Sequence, residues 1–346
     1  MLEKIKIRID TELKKIVQEI NKVYSLNKIS PLLFQCLKDF ILRKGKRIRP
    51  ILFIISYLGF SKRIAPKLYR SALSTELLHD FMLVHDDIID KSSQRRGKPS
   101  MHKMLDKHLS GYKKIKFNGA DLGIVIGDVM YAIAIKAFLS VKENMHYKEK
   151  ALKKFIEAAI YTGSGEFIEL LNGAQNIEKI SKEKIYQIYD YKTAHYTFST
   201  PLAIGAILAG VDDKEIYRLS KFGIYLGRAF QIKDDILGIF GDEKKIGKST
   251  LSDLQEAKKT LFIWYAYSHS KKTDKDLIRK VFAKQKVTYS DLVKIRKVIK
   301  KSGALNYAKK EISLLIKKSQ ELIKLSKMKI KYKELLLSYI NQILNT

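Results

Sequence analysis

The sequence predicts an all-α protein, one large helical domain spanning residues 1–346. Three observations lead there. Apolar residues recur at helical spacing along almost the whole chain, as at Ile216, Leu219, Phe222, Leu226 and Phe230, the pattern of a helix with one buried face. Alternating runs joined by hairpin turns are scarce. Prolines, which interrupt helices, stand only at Pro31, Pro50, Pro66, Pro99 and Pro201, and none follows.

Ten or more long helices are expected, separated where Gly, Pro and charge cluster: GFSKRIAPK (59–67), RRGKPS (95–100), GYKKIKFNGAD (111–121) and GDEKKIGKST (241–250). The lysine-rich segment 106–121 is expected to be an exposed loop. None of these breaks has the composition of a domain linker, and no repeat recurs at solenoid spacing.

Composition narrows the class. Hydrophobic residues make up 46% of the chain, enough for a packed core and too many for a disordered one. The single cysteine, Cys36, excludes an intrachain disulfide and points to a reducing compartment. The first twenty residues are charged every few positions and lack the apolar core of a signal peptide. The longest apolar stretches, ILFIISYLGF and PLAIGAILAGV, are about half the length of a membrane span. A soluble cytoplasmic protein is expected. The net charge is +31, and residues 271–346 carry 21 Lys or Arg against 6 Asp or Glu. Such an excess attracts nucleic acid, acidic membrane surfaces and phosphorylated small molecules alike. The basic residues are spread along apolar-periodic helices, not gathered in one block, and lack the interleaved aromatics of a stacking platform. That pattern describes a solvated lysine-rich surface and argues against nucleic acid as a partner.

The stretch LVHDDIIDKSSQRRG (83–97) puts Asp86, Asp87 and Asp90 within one helical turn. Acids this close repel each other on a helix. Either the turn is solvated or the carboxylates share a counter-ion, for which a hard divalent cation such as magnesium suits oxygen ligands and phosphate oxygens. The apolar flanks are unlike a solvated face. A second pair, Asp234 and Asp235, stands in AFQIKDDILGIF, again on an apolar helix. Buried acids without partners are costly. Two such helices facing each other would build a metal site inside a helical bundle. Cations that match a diphosphate are present: Lys46, Arg49, Arg95, Arg96, Lys192, Lys248 and Lys258. His79 lies two helical turns before Asp86 on the same face, and Gln231 shares a face with Asp234.

In order, the chain carries GKRIRP, ELLHDFMLVHDDIIDKSSQRRGKPS, GEFIEL, KTAHYTFSTPLAIGAILAG and FQIKDDILGIFGDEKKIGKSTLSDLQEAKKTL. In these motifs, from about residue 40 to residue 262, it resembles the trans-isoprenyl diphosphate synthases, most nearly the archaeal-type geranylgeranyl diphosphate synthases. The resemblance implies a helical bundle of the isoprenoid synthase type with the active site in its core. It implies a prenyltransferase that ionises an allylic diphosphate with magnesium, three ions per site, and couples the cation to isopentenyl diphosphate. The proton is then lost, and the released product feeds membrane lipid synthesis. It assigns metal ligation to Asp86, Asp87, Asp90, Asp234 and Asp235, and catalysis to Asp86, Asp90, Asp234, Lys192 and Lys248. The allylic diphosphate falls to Arg95, Lys192, Thr193, Gln231, Lys248 and Lys258. Isopentenyl diphosphate falls to Lys46, Arg49, His79 and Arg96. A homodimer is the family's usual assembly.

Several positions depart from the pattern. Gly238 stands where the second motif has its third aspartate, with Asp242 as the nearby candidate to replace it. Lys44 replaces a glycine, the G-Q-x-x-D motif reads Gly165, Glu166 and Glu169, and E-G-K reads Glu256, Ala257 and Lys258. Chain length in the family is set by the residues four and five before the first aspartate, here Met82 and Phe81. An aromatic at the fifth position with a flexible residue at the fourth matches a geranylgeranyl, twenty-carbon product; farnesyl or longer products are the alternatives. A non-catalytic subunit of a prenyl synthase complex would tend to lose the first aspartate motif or RRG, both intact here. A terpene cyclase would have no need of GKRIRP, His79 and Arg96.

Overall fold

The computed structural model describes residues 1–243 and 249–345; Lys248 lies outside the described residues. Helix follows helix: α1 (Leu2–Tyr24), α2 (Leu26–Ile29), α3 (Pro31–Leu42), α4 (Ile48–Phe60), α5 (Leu68–Ile89), α6 (Met101–Leu109), α7 (Gly119–Phe138), α8 (Met145–Ala174), α9 (Lys182–Ile188), a π-helical run Tyr189–Ser199, α10 (Thr200–Leu208), α11 (Asp213–Phe240), α12 (Ser252–Gln255), α13 (Leu261–Ser268), α14 (Lys272–Phe282), α15 (Tyr289–Lys301), α16 (Ala304–Lys324) and α17 (Ile330–Asn345). Among the described residues the strands are β1 (Gln94–Arg95) and β2 (Lys98–Pro99), paired antiparallel. The all-α expectation holds. The chain divides into two compact units, one of Met1–Phe155, Pro201–Asp212 and Met328–Tyr339, the other of Ile156–Thr200, Asp213–Lys327 and Ile340–Thr346.

In the first unit, α1 buries Ile5, Ile9, Leu13, Ile16, Val17 and Ile20, one stripe at helical spacing. Helix α3 starts as its sequence suggests: the Ser30 hydroxyl accepts from the Leu33 N–H, and Pro31 occupies the first turn, where its missing N–H costs nothing. Helix α4 and the first half of α5 are buried almost all round, so their identity comes from length and flanks, not from amphipathicity. Ser71 on α5 donates to the Phe138 carbonyl at the end of α7 (2.9 Å), tying the two helices together.

The exposed segment between α6 and α7 is shorter than expected. Residues 106–109 close α6, and α7 begins at Gly119 because Asn118 and Asp121 form a reciprocal capping box. Residues 110–118 are all exposed, including Tyr112 and Phe117.

In the second unit, α11 lies against the π-helical run. Gly223 and Gly227 make this possible: a Cβ at the first would sit 2.5 Å from the Ser199 Cα, and at the second 2.3 Å from the Ala194 Cα. Neither backbone leaves room for a side chain. Around them a core gathers Ala229, Ile232, Leu261, Phe262, Ile295 and Ile299. Among the described residues, no helix is long and apolar enough to cross a membrane.

Candidate active site

In the first unit the site residues stand at the C-terminal end of α5. The helix ends at Ile89, and the Asp90 N–H still donates to the Asp86 carbonyl (2.8 Å). The turn is therefore intact, and Asp86 and Asp90 present carboxylate oxygens within 4.8 Å of each other. Both are half-buried, whereas Asp87 is fully buried. Negative charge at a helix C-terminus opposes the dipole, so these acids need cations. Arg95 supplies one. Its Nε and Nη2 donate to Asp87 Oδ1 at 2.8 and 2.5 Å, and Nη2 reaches Asp86 Oδ2 at 3.3 Å. The other Asp87 oxygen is buried without a hydrogen bond, and burial pushes its carboxyl up despite Arg95.

The segment read from sequence as a break at 95–100 is a hairpin. Gln94 pairs with Pro99 and Arg95 with Lys98; Arg96 and Gly97 turn the corner, both at positive φ (55° and 73°), as a two-residue primed turn requires. The strands are too short for alternation to announce them. Arg43 pins the hairpin, donating to the Arg95 carbonyl (3.1 Å) and the Pro99 carbonyl (3.0 Å) while paired with Asp39 (2.8 Å).

Beside it, GKRIRP and α5 form a buried charge network. Arg47, left-handed at φ 51°, precedes α4 and donates to Glu76 Oε1 (2.8 Å), Asp10 Oδ1 (3.0 Å) and the Arg43 carbonyl (2.8 Å). Arg96 Nη2 lies 3.3 Å from Asp80 Oδ1 and 3.7 Å from Glu76 Oε1. Arg49 is buried and Lys46 exposed. The His79 ring titrates well below the usual imidazole range because burial, then Arg49, Arg96, Arg95 and Arg47, oppose a further positive charge. At neutral pH it is a neutral hydrogen-bonding group.

In the second unit the acids of α11 are tied differently. Asp235 is buried; one of its oxygens accepts from the Tyr189 hydroxyl and the other from Gln231 Nε2 (2.8 Å). The Tyr189 oxygen accepts in turn from the Leu261 N–H (3.0 Å). Gln231 Oε1 accepts from the Thr193 hydroxyl (2.6 Å), so residues of the π-helical run and α11 form one chain of hydrogen bonds. Burial, chiefly, pushes the Asp235 carboxyl up to about 7. Asp234, one residue before it, stays half-buried. Lys192 pairs with Glu169 (2.5 Å) and Glu166 (2.6 Å), so both residues that depart from the expected Gln and Asp meet this lysine. Lys258 meets Glu256 (2.7 Å) and, more distantly, Asp253 (3.7 Å). These groups edge a recess lined by Glu169, Asn172, Tyr189, Asp235, Lys258 and Thr260.

Gly238 has a physical reason to be glycine. A Cβ there would lie 2.0 Å from the Asp253 Oδ2. The space of the missing third carboxylate is thus filled from α12, fifteen residues on. Asp242 is exposed beyond the end of α11.

The polyprenyl synthetase family model matches residues 30–299. The chain belongs to this family. The geranylgeranyl diphosphate synthase of Saccharolobus solfataricus is 31% identical over 285 residues, 80% of each chain. That of Sulfolobus acidocaldarius is 31% identical over 299 residues, 86% of this chain and 85% of its own. Geranylgeranyl pyrophosphate synthase of Corynebacterium glutamicum, solved with isoprenyl diphosphate and magnesium, superposes with a TM-score of 0.90 over 99% of both chains at 24% identity; that match speaks for the fold. For this polyprenyl synthetase, sequence reading missed Arg47, Glu76, Asp80, Tyr189 and Asp253. Each acts through a partner remote in sequence, and only the odd buried charge of Glu76 and Asp80 on an apolar helix signalled it.

The predicted chain-length residues lie on α5, and Phe81 faces α7. Phe81 stacks on Tyr131 (centroids 5.1 Å) and meets His85 edge-on (4.7 Å). Gly127 leaves the room, since its Cβ would lie 3.5 Å from the Phe81 ring and 2.4 Å from His85 Nε2. Met82 is half-buried.

Proposed function

We propose that this polyprenyl synthetase condenses isopentenyl diphosphate with allylic diphosphates and releases geranylgeranyl diphosphate. The observation that carries the reading is the half-exposed pair Asp86 and Asp90 ending α5, with Arg95 bound to their neighbour Asp87. Oxygen donors one turn apart, with Asp87 holding an unsatisfied buried oxygen, fit magnesium. When bound, as three ions by the family's habit, magnesium stabilises the departing diphosphate as a Lewis acid. Asp86, Asp90 and Asp234 take ligation in this reading, with Asp87 and Asp235 held behind them. Asp235 fixes Gln231, and through it Thr193, as polar contacts for the allylic diphosphate. Lys192, Lys258 and Lys248 supply cations to the same group. Arg49, Arg96 and Lys46 hold the isopentenyl diphosphate, and neutral His79 donates or accepts without adding charge. The apolar residues of α5 and α7 exclude water from the carbocation.

Phe81, braced by Tyr131, is the proposed floor under the growing chain. A homodimer fits the exposed apolar stripe Ile156, Ile160, Phe167, Leu170 and Leu171 on α8, which water would otherwise cover; light scattering in solution tests it. The buried free thiol of Cys36 suits a reducing cytoplasm. One family model runs through residues of both units, which supports a single isoprenoid synthase domain.

Radiolabelled isopentenyl diphosphate, magnesium and allylic primers of increasing length, followed by chromatography, test the activity. A labelled twenty-carbon diphosphate is expected. No incorporation by the chain alone, with activity restored by a second subunit, would favour the non-catalytic reading.

A further inference from the structure

We propose that Asp80 is a positioning residue that holds Arg96 ready for the diphosphate of isopentenyl diphosphate, at a cost in stability; the inference rests on the assignment of Arg96 to that substrate. Asp80 is fully buried on α5, one residue after His79. Neither of its oxygens makes a hydrogen bond. Its ion-pair contact is Arg96 Nη2 at 3.3 Å. The charged groups that face it are Glu76 of the same helix, Arg96 of the hairpin, Arg47 before α4 and Arg49 within α4; burial first, and Glu76 second, push its carboxyl up to about 7. A carboxylate in such surroundings is worse for stability than a neutral group of its shape. Packing therefore does not explain it.

Arg96 does. Its backbone is left-handed at the hairpin tip. Its guanidinium lies over Gly45, 3.5 Å from where a Cβ would stand. Asp80 and Glu76 draw Nη2 inward. Nη1 is buried and has no hydrogen bond. The side chain keeps 17% of its surface exposed, so a guanidinium held through Nη2 and not yet matched at Nη1 suits an incoming anionic oxygen at its open edge. Without the Asp80 charge the guanidinium keeps its valence but loses its aim.

Calorimetry with isopentenyl diphosphate alone, without allylic primer and at about pH 8, above the titration of Asp80, reads binding without turnover. Asp80→Asn should weaken affinity about tenfold, the scale of one charged hydrogen bond, and raise Tm by about 1–2 °C. In an Arg96→Ala background the same change should alter affinity less than about twofold, because its effect runs through Arg96. Unchanged or tighter binding in Asp80→Asn overturns the proposal. So does an equal loss in the Arg96→Ala background, or a fall in Tm or failure to fold, each of which makes Asp80 a structural residue. If Arg96→Ala itself leaves the affinity unchanged, the assignment of Arg96 is wrong and the proposal falls with it, a result distinct from those above.

Discussion

At the end of α5, Asp86 and Asp90 keep half-exposed carboxylates and Arg95 supplies the protein's own counter-charge. On α11, Asp235 is buried and both its oxygens are taken by Tyr189 and Gln231, while Gly238 yields its space to Asp253. The first arrangement leaves both carboxylates half-buried, with Arg95 paired to Asp86 and Asp87. The second spends its acids on rigidity. The two motifs look alike in sequence, each an acid pair amid apolar residues, yet only Asp234 of the second remains in the state of Asp86. Repetition of a motif is not repetition of a role.

The largest expected effect tests the ligand side of that contrast. Asp86→Ala and Asp234→Ala should each cut turnover by orders of magnitude, because each removes a ligand used most strongly as the diphosphate leaves. Chelator should abolish activity and magnesium restore it. A folded Asp86→Ala protein with near-normal turnover would sink the proposed function. Asp235→Ala should instead show its damage first in Tm, since it strands Tyr189 and Gln231.

Next comes the substituted third carboxylate. A Cβ at Gly238 would lie 2.0 Å from the Asp253 carboxylate. Gly238→Asp should lower stability by about 1–3 kcal/mol through overpacking, besides setting two acids against each other. Gly238→Ala separates the two effects, as it adds the clash without the charge. Wild-type Tm in both variants would mean that Asp253 swings aside freely and does not fill the place.

A smaller effect reads the buried acids by titration. The Asp235 carboxyl lies at about 7 in the folded chain, against about 3.9 when unfolded. Between those values the folded chain keeps a proton that the unfolded chain gives up. Its contribution therefore lowers stability as pH rises from about 4 to about 7. Asp80 acts with the same sign. Asp235→Asn should flatten this part of the stability–pH curve without abolishing it, as Asp80 remains. An unchanged slope, measured by denaturant unfolding across that range, would show that Asp235 stays ionised.

How much of this was legible beforehand follows from range. The stripe of α1, the Asp86–Asp90 turn and the caps at Ser30 and Pro31 are set by residues within one or two turns, and the sequence displays them. Arg47 finds Glu76 twenty-nine residues away, and Tyr189 finds Asp235 forty-six away. No local pattern encodes such pairs. The hairpin was hidden for the opposite reason: two residues per strand are too few to show a period of two. Its signal was chemical, in the Arg96–Gly97 pair that a primed turn accepts. The extent of 106–121 was misjudged because charge was weighed and the capping pair Asn118 and Asp121 was not.

The most delicate effect concerns product length, and it sharpens the contrast by asking what lies one turn before the α5 acids. Ideal periodicity sets Phe81 to the flank of Asp86, and the structure agrees: its ring faces α7, stacked on Tyr131 and against His85. A side chain in that position stops a growing chain only if the chain runs along the α5–α7 seam. Phe81→Ala opens the seam between His85 and Tyr131, beside Gly127, which carries no side chain. Products longer than twenty carbons are then expected. Met82→Phe places a ring on the face of Asp86 itself and should shorten the product. Phe81 is only half-buried, so its truncation should cost less than the roughly 3–5 kcal/mol of a fully buried phenylalanine, and the enzyme should remain folded. Because total activity falls with any loosening of the site, the ratio of chain lengths is the quantity to read. If Phe81→Ala still stops at the wild-type length while Met82→Phe shortens it, the chain descends along the Asp86 face, and Tyr131 and Phe81 form a packed wall beside it instead of its floor.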